Sequence, residues 1–193
     1  MKDIRYANRG QGLENFMKFA NERYKQKGEA FIHKNATEFI PIRNGMGRIV
    51  NVKVEEKATV DFLGRYKHYP VAIEAKNSNE GSIRWDAVQP NQADDMEDFC
   101  REPGTIGLVV VSFNLERFFA IPWEVWSQAY EIRVRKNDRK TDVTITTEGR
   151  TWVVPKKYSV KPEELDPAWE VDGRNFKYGL HYLEKAENYV KSA

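Results

Sequence analysis

The sequence predicts one α/β (α+β) domain, with a central mixed β-sheet flanked by helices and a protruding β-hairpin. Three observations lead there. Segments with helical spacing alternate along the chain with segments that read as strands. Residues 105–113, Thr-Ile-Gly-Leu-Val-Val-Val-Ser-Phe, form an almost unbroken apolar run, the pattern of a strand buried on both faces. Asn44-Gly45 lies between two apolar-rich runs, a strong short-range hairpin signal.

The elements follow in order. Leu13, Phe16, Met17, Ala20 and Tyr24 recur at helical spacing, which predicts a helix over 10–27 with Gly28 as its stop. Residues 29–34 read as a short strand. The hairpin spans 38–54, with its turn at Asn44-Gly45-Met46-Gly47, and carries Arg43, Arg48 and Lys53. Two further strands are expected at 58–63 and 70–76, around a turn from Gly64 to Tyr69. Pro90 suits a first helical turn and Pro103-Gly104 ends the pattern, so 90–101 is a helix. After the apolar strand, Phe118 to Ile121 is its antiparallel neighbour, and Trp123 to Tyr130 a short helix. The polar segment 131–150 is a hairpin or loop. A last helix is expected from about Tyr178 to Val190. The whole chain, 1–193, reads as a single domain, and a length of 193 residues is enough for one core.

Composition narrows the class. A hydrophobic fraction of 40% with 12% aromatics argues for a packed globular protein. No run approaches the ~20 apolar residues of a membrane span, and no apolar stretch follows the first residues, as a signal peptide would require. Cys100 is the single cysteine, so an internal disulfide and a cysteine-based zinc site are excluded; a cytoplasmic setting is expected. His33, His68 and His181 share no ligand spacing. Net charge is only +2, but residues 1–76 carry 15 basic and 9 acidic side chains while 77–130 carry 3 and 9. The basic N-terminal half suits a polyanion, although on charge alone a solvated mixed surface is the better explanation of a bias of this size.

The chemistry concentrates in two strands. Alternation over 70–76 sends Val71, Ile73 and Ala75 to one face and Ala72, Glu74 and Lys76 to the other. A carboxylate and an ammonium thus stand where a bland strand would carry apolar residues. In strand 58–63, Thr59, Asp61 and Leu63 share a face, and the short connection lets Asp61 and Glu74 converge. Two carboxylates and a backbone carbonyl, that of Ala75, make an oxygen-rich site for Mg²⁺ or Mn²⁺. Such an ion polarises a phosphate and activates a water, and Lys76 can orient that water or stabilise the charge that develops. Spacing alone is weak: with 31% charged residues an Asp-x(n)-Glu-x-Lys pattern arises by chance, and a surface Glu–Lys pair is the plainer alternative. The aromatic cluster Phe118, Phe119, Trp123 and Trp126 reads as core rather than a base-stacking platform. Asp94, Asp95, Glu97 and Asp98 form an acidic helix face.

The order of motifs adds specificity. Asn8-Arg9-Gly10 with Leu13-Glu14, Asp61-Phe62-Leu63-Gly64-Arg65-Tyr66, Glu74-Ala75-Lys76, Ser82-Ile83 followed by Gln92, and Phe118 to Pro122 occur in sequence. Together with the tail from Tyr178 to Val190 they resemble the RecU-type Holliday junction resolvases, of the PD-(D/E)xK nuclease superfamily, over nearly the full chain. The resemblance implies a restriction-endonuclease-like core and a homodimer that makes paired, metal-dependent nicks in four-way DNA junctions. It further implies Asp61 and Glu74 as metal ligands, Lys76 as the residue assisting water, and Glu14 and Gln92 as supporting participants. The hairpin would be the stalk that enters the junction, with Arg9, Arg43, Arg48 and Lys53 on DNA. The stretch from Thr37 to Asp61 and the loop from Lys76 to Gln92 are shorter than in that family, and Val60 stands where threonine is frequent. These departures suggest a divergent or phage-encoded member, in a bacterial or phage-infected cell. Two other readings stay open: a restriction or repair nuclease on linear duplex, and a non-catalytic DNA-binding recombination protein.

Overall fold

In the computed structural model, residues 11–35, 38–56, 60–147, 150–184 and 186–189 are described. Helix α1 (Gln11–Gln26) comes first, followed by β1 (Ala30–Lys34). The hairpin strands are β2 (Glu38–Arg43) and β3 (Ile49–Glu56); β4 (Phe62–Tyr66) and β5 (Tyr69–Ser78) follow. A two-residue strand β6 (Ile83–Arg84) leads to α2 (Pro90–Phe99), then to β7 (Ile106–Phe113), β8 (Arg117–Pro122) and α3 (Trp123–Tyr130). A second hairpin, β9 (Val143–Thr147) and β10 (Arg150–Val154), and two short strands, β11 (Ser159–Val160) and β12 (Glu170–Val171), complete the set.

Six strands form the central sheet in the order β1-β4-β5-β7-β8-β12. Only β5 and β7 run parallel; the other pairs are antiparallel, so the sheet is mixed as expected. All eight residues of β7 are buried, which is why its sequence lacks alternation. One face of the sheet carries α1: Leu13, Met17, Ala20 and Tyr24 pack with Phe62, Val71, Ile73, Leu108 and Val110. The other face carries α2 and α3 over Ala72, Val109 and Val111. Trp85 meets Trp126 and Trp152 edge-on on this side, and Trp152 in turn meets Trp169. Phe118, Phe119, Trp123 and Trp126 are buried, as core residues should be.

Three expectations need correction. Of the strand predicted at 58–63, residues 58 and 59 lie outside the described residues, Val60 and Asp61 lie in a bend, and β4 begins at Phe62. The reason is local: the Asp61 carbonyl accepts the Asn35 N–H at 2.8 Å just past the end of β1, and its side chain turns to β5. The connection from β4 to β5 is tighter than the Gly64–Tyr69 turn predicted, because Gly64 and Tyr66 stay in the strand and only Lys67 and His68 turn. Gly64 is required there by close approach: a Cβ would lie 2.0 Å from the Phe31 carbonyl oxygen across the β1–β4 pair.

The third correction concerns the tail. The described residues from Tyr178 to Tyr189 contain turns and a 3-10 helix at Ala186–Tyr189, with no α-helix. Tertiary contacts override the helical pattern. Tyr178 stacks on Tyr24 and donates its hydroxyl to Glu29; Tyr182 lies edge-on to Tyr24 and donates to Asn21. Leu180, Tyr182 and Leu183 are all buried in the core shared with α1. In the polar segment 131–150, α3 continues as a π-helical turn over Glu131–Arg135 before the β9–β10 hairpin. Arg133 anchors it: wholly buried, it donates to the carbonyls of Asp138, Thr141, Val154 and Pro155. Among the described residues no helix is long and apolar enough to cross a membrane.

Candidate active site

The site lies where β5 outruns β4. The last β4–β5 pair is Phe62 with Ile73, so Glu74, Ala75 and Lys76 have no β4 partner and pair only with β7. An unpartnered strand edge leaves backbone groups to be satisfied. Asp61 supplies one partner: its Oδ2 accepts the Ala75 N–H at 2.9 Å. The Asp61 N–H in turn donates to Glu74 Oε2 at 3.3 Å. These reciprocal bonds bring the two carboxylates together. In an extended strand a residue's N–H and C=O point to the same edge, so the Ala75 carbonyl faces the Asp61 side as well.

Glu74 is wholly buried, on the face lined by Ala72 and the tryptophan cluster. Lys76 Nζ lies 2.6 Å from Glu74 Oε1, so the ammonium is the ion-pair partner of this buried oxygen. Burial, the largest cause, pushes the Glu74 carboxyl up to about 8; the Lys76 ammonium pulls it down, and the Asp61 carboxylate pushes it up again. Lys76 is held from the other side by Gln92, whose Oε1 accepts its Nζ at 3.0 Å. The same oxygen accepts the Gln89 N–H at 3.0 Å, because Gln92 is the third residue of α2 and closes its capping box. The helix start thereby fixes the side chain that fixes the lysine.

Asp61, Glu74, Lys76 and Gln92 thus share one site. Glu14, on α1, pairs with Lys34 at 2.5 Å, and Lys34 is the strand partner of Phe62, the residue after Asp61. Arg43 and Arg48 are exposed on the β2–β3 hairpin. Lys53 lies in β3, but its side chain, like the whole of Arg9, falls outside the described residues. The acids of α2 are used structurally: Asp94 pairs with Arg135, Asp98 with Arg101, and Glu97 accepts the Trp123 indole N–H. One cationic feature escaped the sequence reading. The guanidinium carbons of Arg84 and Arg139 lie 4.9 and 4.4 Å from the Tyr158 ring centroid, beside exposed Lys156 and Lys157. The run Lys156-Lys157-Tyr158 was its only local signal.

Comparison with known proteins adds a family. The family model described as Recombination protein U matches residues 8–161, which includes both carboxylates, Lys76 and Gln92 and stops short of the tail. The Holliday junction resolvase RecU of Streptococcus pneumoniae (strain Taiwan19F-14) is 28% identical over 118 residues, 58% of this chain and 59% of that protein. The chain therefore spans only about three fifths of that relative's length. The Holliday junction resolvase RecU of Ureaplasma parvum is 25% identical over 130 residues, covering 67% of this chain and 76% of that protein. Among solved structures, the Holliday junction resolvase Hjc of Archaeoglobus fulgidus aligns over 80% of this chain and 93% of its own at 13% identity, with a TM-score of 0.36, a level that says nothing about the site. The family match covers most of the chain, and the chain belongs to the Recombination protein U family.

Proposed function

We propose that this chain is a divalent-metal-dependent endodeoxyribonuclease that acts as a homodimer and resolves four-way DNA junctions by paired nicks. The names of its relatives support the substrate; the site supports the chemistry. One observation carries the chemical reading: the Asp61 and Glu74 carboxylates are held together at the unpartnered edge of β5, beside the Lys76 ammonium. Two carboxylates brought this close share a single neighbouring ammonium, and a further cation would offset their repulsion. Asp61, Glu74 and the Ala75 carbonyl offer only oxygen ligands, which fits Mg²⁺ or Mn²⁺.

When bound there, such an ion supplies Lewis-acid polarisation of the scissile phosphate and of an attacking water. The chain's own groups prepare the rest. The Ala75 N–H fixes the rotation of the Asp61 carboxylate, and the Asp61 N–H fixes that of Glu74. The Lys76 ammonium, held by Gln92, stands within reach of charge developing on the phosphate and can orient the water. With the ion in place Lys76 no longer has to serve as the counter-charge of Glu74. Two active sites related by dimer symmetry would suit the symmetric strands of a junction. Arg43, Arg48 and Lys53 on the hairpin, with Arg9, would bear on DNA phosphates.

The test is cleavage of a labelled four-way junction beside a linear duplex of the same sequence. The wild-type protein should nick the junction only with Mg²⁺ or Mn²⁺ and leave the duplex largely uncut, and Asp61→Asn should abolish nicking. Wild-type rates from Asp61→Asn would refute the site. Equal cutting of duplex would refute junction selectivity, and binding without any product would leave a non-catalytic protein.

A further inference from the structure

Three segments distant in sequence converge on one cationic surface, and two buried side chains hold them there. Arg133 donates to the Asp138 and Thr141 carbonyls ahead of β9 and to those of Val154 and Pro155 at the end of β10. Trp85 donates its backbone N–H to the Tyr158 carbonyl at 3.1 Å and its indole N–H to that of Lys157 at 3.3 Å. Arg84 pairs with Ser159 across β6 and β11. Arg84, Arg139, Lys140, Lys156 and Lys157 are all exposed on this frame. The Arg84 and Arg139 guanidinium groups both lie over the Tyr158 ring, which restrains them. The local acids leave much of the charge uncovered. Asp138 and Asp142 each direct an oxygen to a backbone N–H, those of Lys140 and Lys156. Arg84 pairs with Asp86 and Lys157 with Glu164, but Arg139, Lys140 and Lys156 form no ion pair among the described residues. The surface is also bonded to the candidate site. The Asp86 carbonyl accepts Gln89 Nε2 at 3.4 Å, and the Gln89 N–H donates to Gln92 Oε1, the atom that holds Lys76.

We propose that Arg139, Lys140 and Lys156, framed by Tyr158, form a second DNA-binding surface that grips the phosphate backbone of a duplex arm beside the cut. It uses none of the hairpin residues. The inference rests on the DNA-cutting reading above. Lysine is depleted from protein interfaces, whereas on a polyanion each lysine or arginine releases a counterion, so a lysine-rich surface suits phosphates better than an acidic protein. A guanidinium laid on an aromatic ring keeps its edge donors available to phosphate oxygens. Charge also disfavours a second copy of the chain: in a symmetric contact the same cations would face each other. Contacts of this kind read no bases, so the surface sets position and affinity rather than sequence preference. The link through Gln89 and Gln92 gives that position a consequence, because the segment that carries Arg84 and Trp85 is bonded to the helix start that holds Lys76.

The experiment measures binding to a labelled four-way junction and to a linear duplex across a salt series, with Ca²⁺ replacing Mg²⁺. The triple variant Arg139→Ala, Lys140→Ala, Lys156→Ala should bind both DNAs about ten- to a hundredfold more weakly at ~0.1 M salt. The slope of log affinity against log salt should fall by about two to three, since each phosphate contact contributes roughly 0.9. The loss should appear on linear duplex too, which offers no branch for the hairpin. Arg139→Lys, which keeps the charge, should keep the wild-type slope. Wild-type affinity and slope from the triple variant would overturn the surface while wild-type DNA binding still stands. A weaker affinity with an unchanged slope would also overturn it, because shape rather than phosphate contact would then be lost. A wild-type protein that binds neither DNA would instead remove the reading beneath the proposal, and the proposal with it. Dissociation of a dimer by the triple variant in sedimentation without DNA would make the occupant a second copy and overturn the proposal.

Discussion

Glu74→Gln should make the protein more stable while destroying its cleavage. The wild-type carboxyl is moved by burial from 4.5 to about 8, so between these limits the folded state holds a proton that the unfolded chain releases. Stability must then fall as pH rises through this window, by up to about 1.4 kcal/mol per pH unit. At pH 7 the accumulated cost is about 3 kcal/mol, taking the full distance from 4.5 to 7. Glutamine has the shape of the protonated acid and cannot ionise, so it escapes the cost. In a chain of this length each kcal/mol moves the midpoint by roughly 2–4 °C. Some of the gain is offset by a poorer partner for Lys76, which leaves several degrees.

The assay is thermal denaturation at pH 5, 6, 7 and 8, with and without Mg²⁺ or Mn²⁺, in parallel with junction cleavage. Without metal, wild-type stability should decline from pH 5 to 8, and Glu74→Gln should show little of that decline. Metal should raise the wild-type midpoint, since a ligand that binds only the folded state stabilises it. It should not raise that of Glu74→Gln. A variant that melts below wild type at pH 8 without metal would refute the argument that burial of this charge is uncompensated. A metal response equal to wild type would remove Glu74 from the ligand set.

Three further outcomes follow from particular contacts. Gln92→Leu removes the acceptor that holds Lys76, and should slow junction cleavage about ten- to a hundredfold with junction binding in Ca²⁺ unchanged. Gly64→Ala sets a methyl against the Phe31 backbone, which cannot swing aside, and should cost about 3 kcal/mol or more in urea denaturation. Arg133→Lys replaces a fork serving four carbonyls by a single ammonium, and should cost about 2–4 kcal/mol. Hydrogen exchange should show that loss first around the ends of the β9–β10 hairpin, where Arg133 holds the Thr141, Val154 and Pro155 carbonyls.

Local signals read well where the element is set by its own residues. The alternation of Ala72, Glu74 and Lys76 against Val71 and Ile73 is the observed division of β5 between the two cores. The Asn44-Gly45 hairpin and the Trp123–Tyr130 helix are found at their expected places. What escaped was set from a distance. The tail is irregular because Tyr24, Asn21 and Glu29 on the other side of the chain claim its tyrosines. The π-helical turn exists because Arg133 reaches carbonyls up to 22 residues away. No short window of sequence contains all of those partners.

Asp61 shows the same limit inside the candidate site, and with more consequence. Sequence pattern puts it in a strand, where its side chain would be one of a row. The structure ends the strand one residue later, so Asp61 is free to cap the exposed edge of β5 through the Ala75 N–H. A strand residue opposite Glu74 would sit at a non-hydrogen-bonded position, with its backbone directed to β1 and its carboxylate on the sheet face. The bend reverses this: the side chain takes the place of a missing strand, and the backbone N–H goes to Glu74. The convergence of two like charges therefore depends on β4 stopping short of β5. The close packing of Gly64 under Phe31 holds β1 and β4 in the register that stops it there. On this argument the glycine of Asp61-Phe62-Leu63-Gly64 and the aspartate belong to one device. A Gly64→Ala protein that still folds should lose cleavage by misplacing Asp61, even though residue 64 touches neither carboxylate.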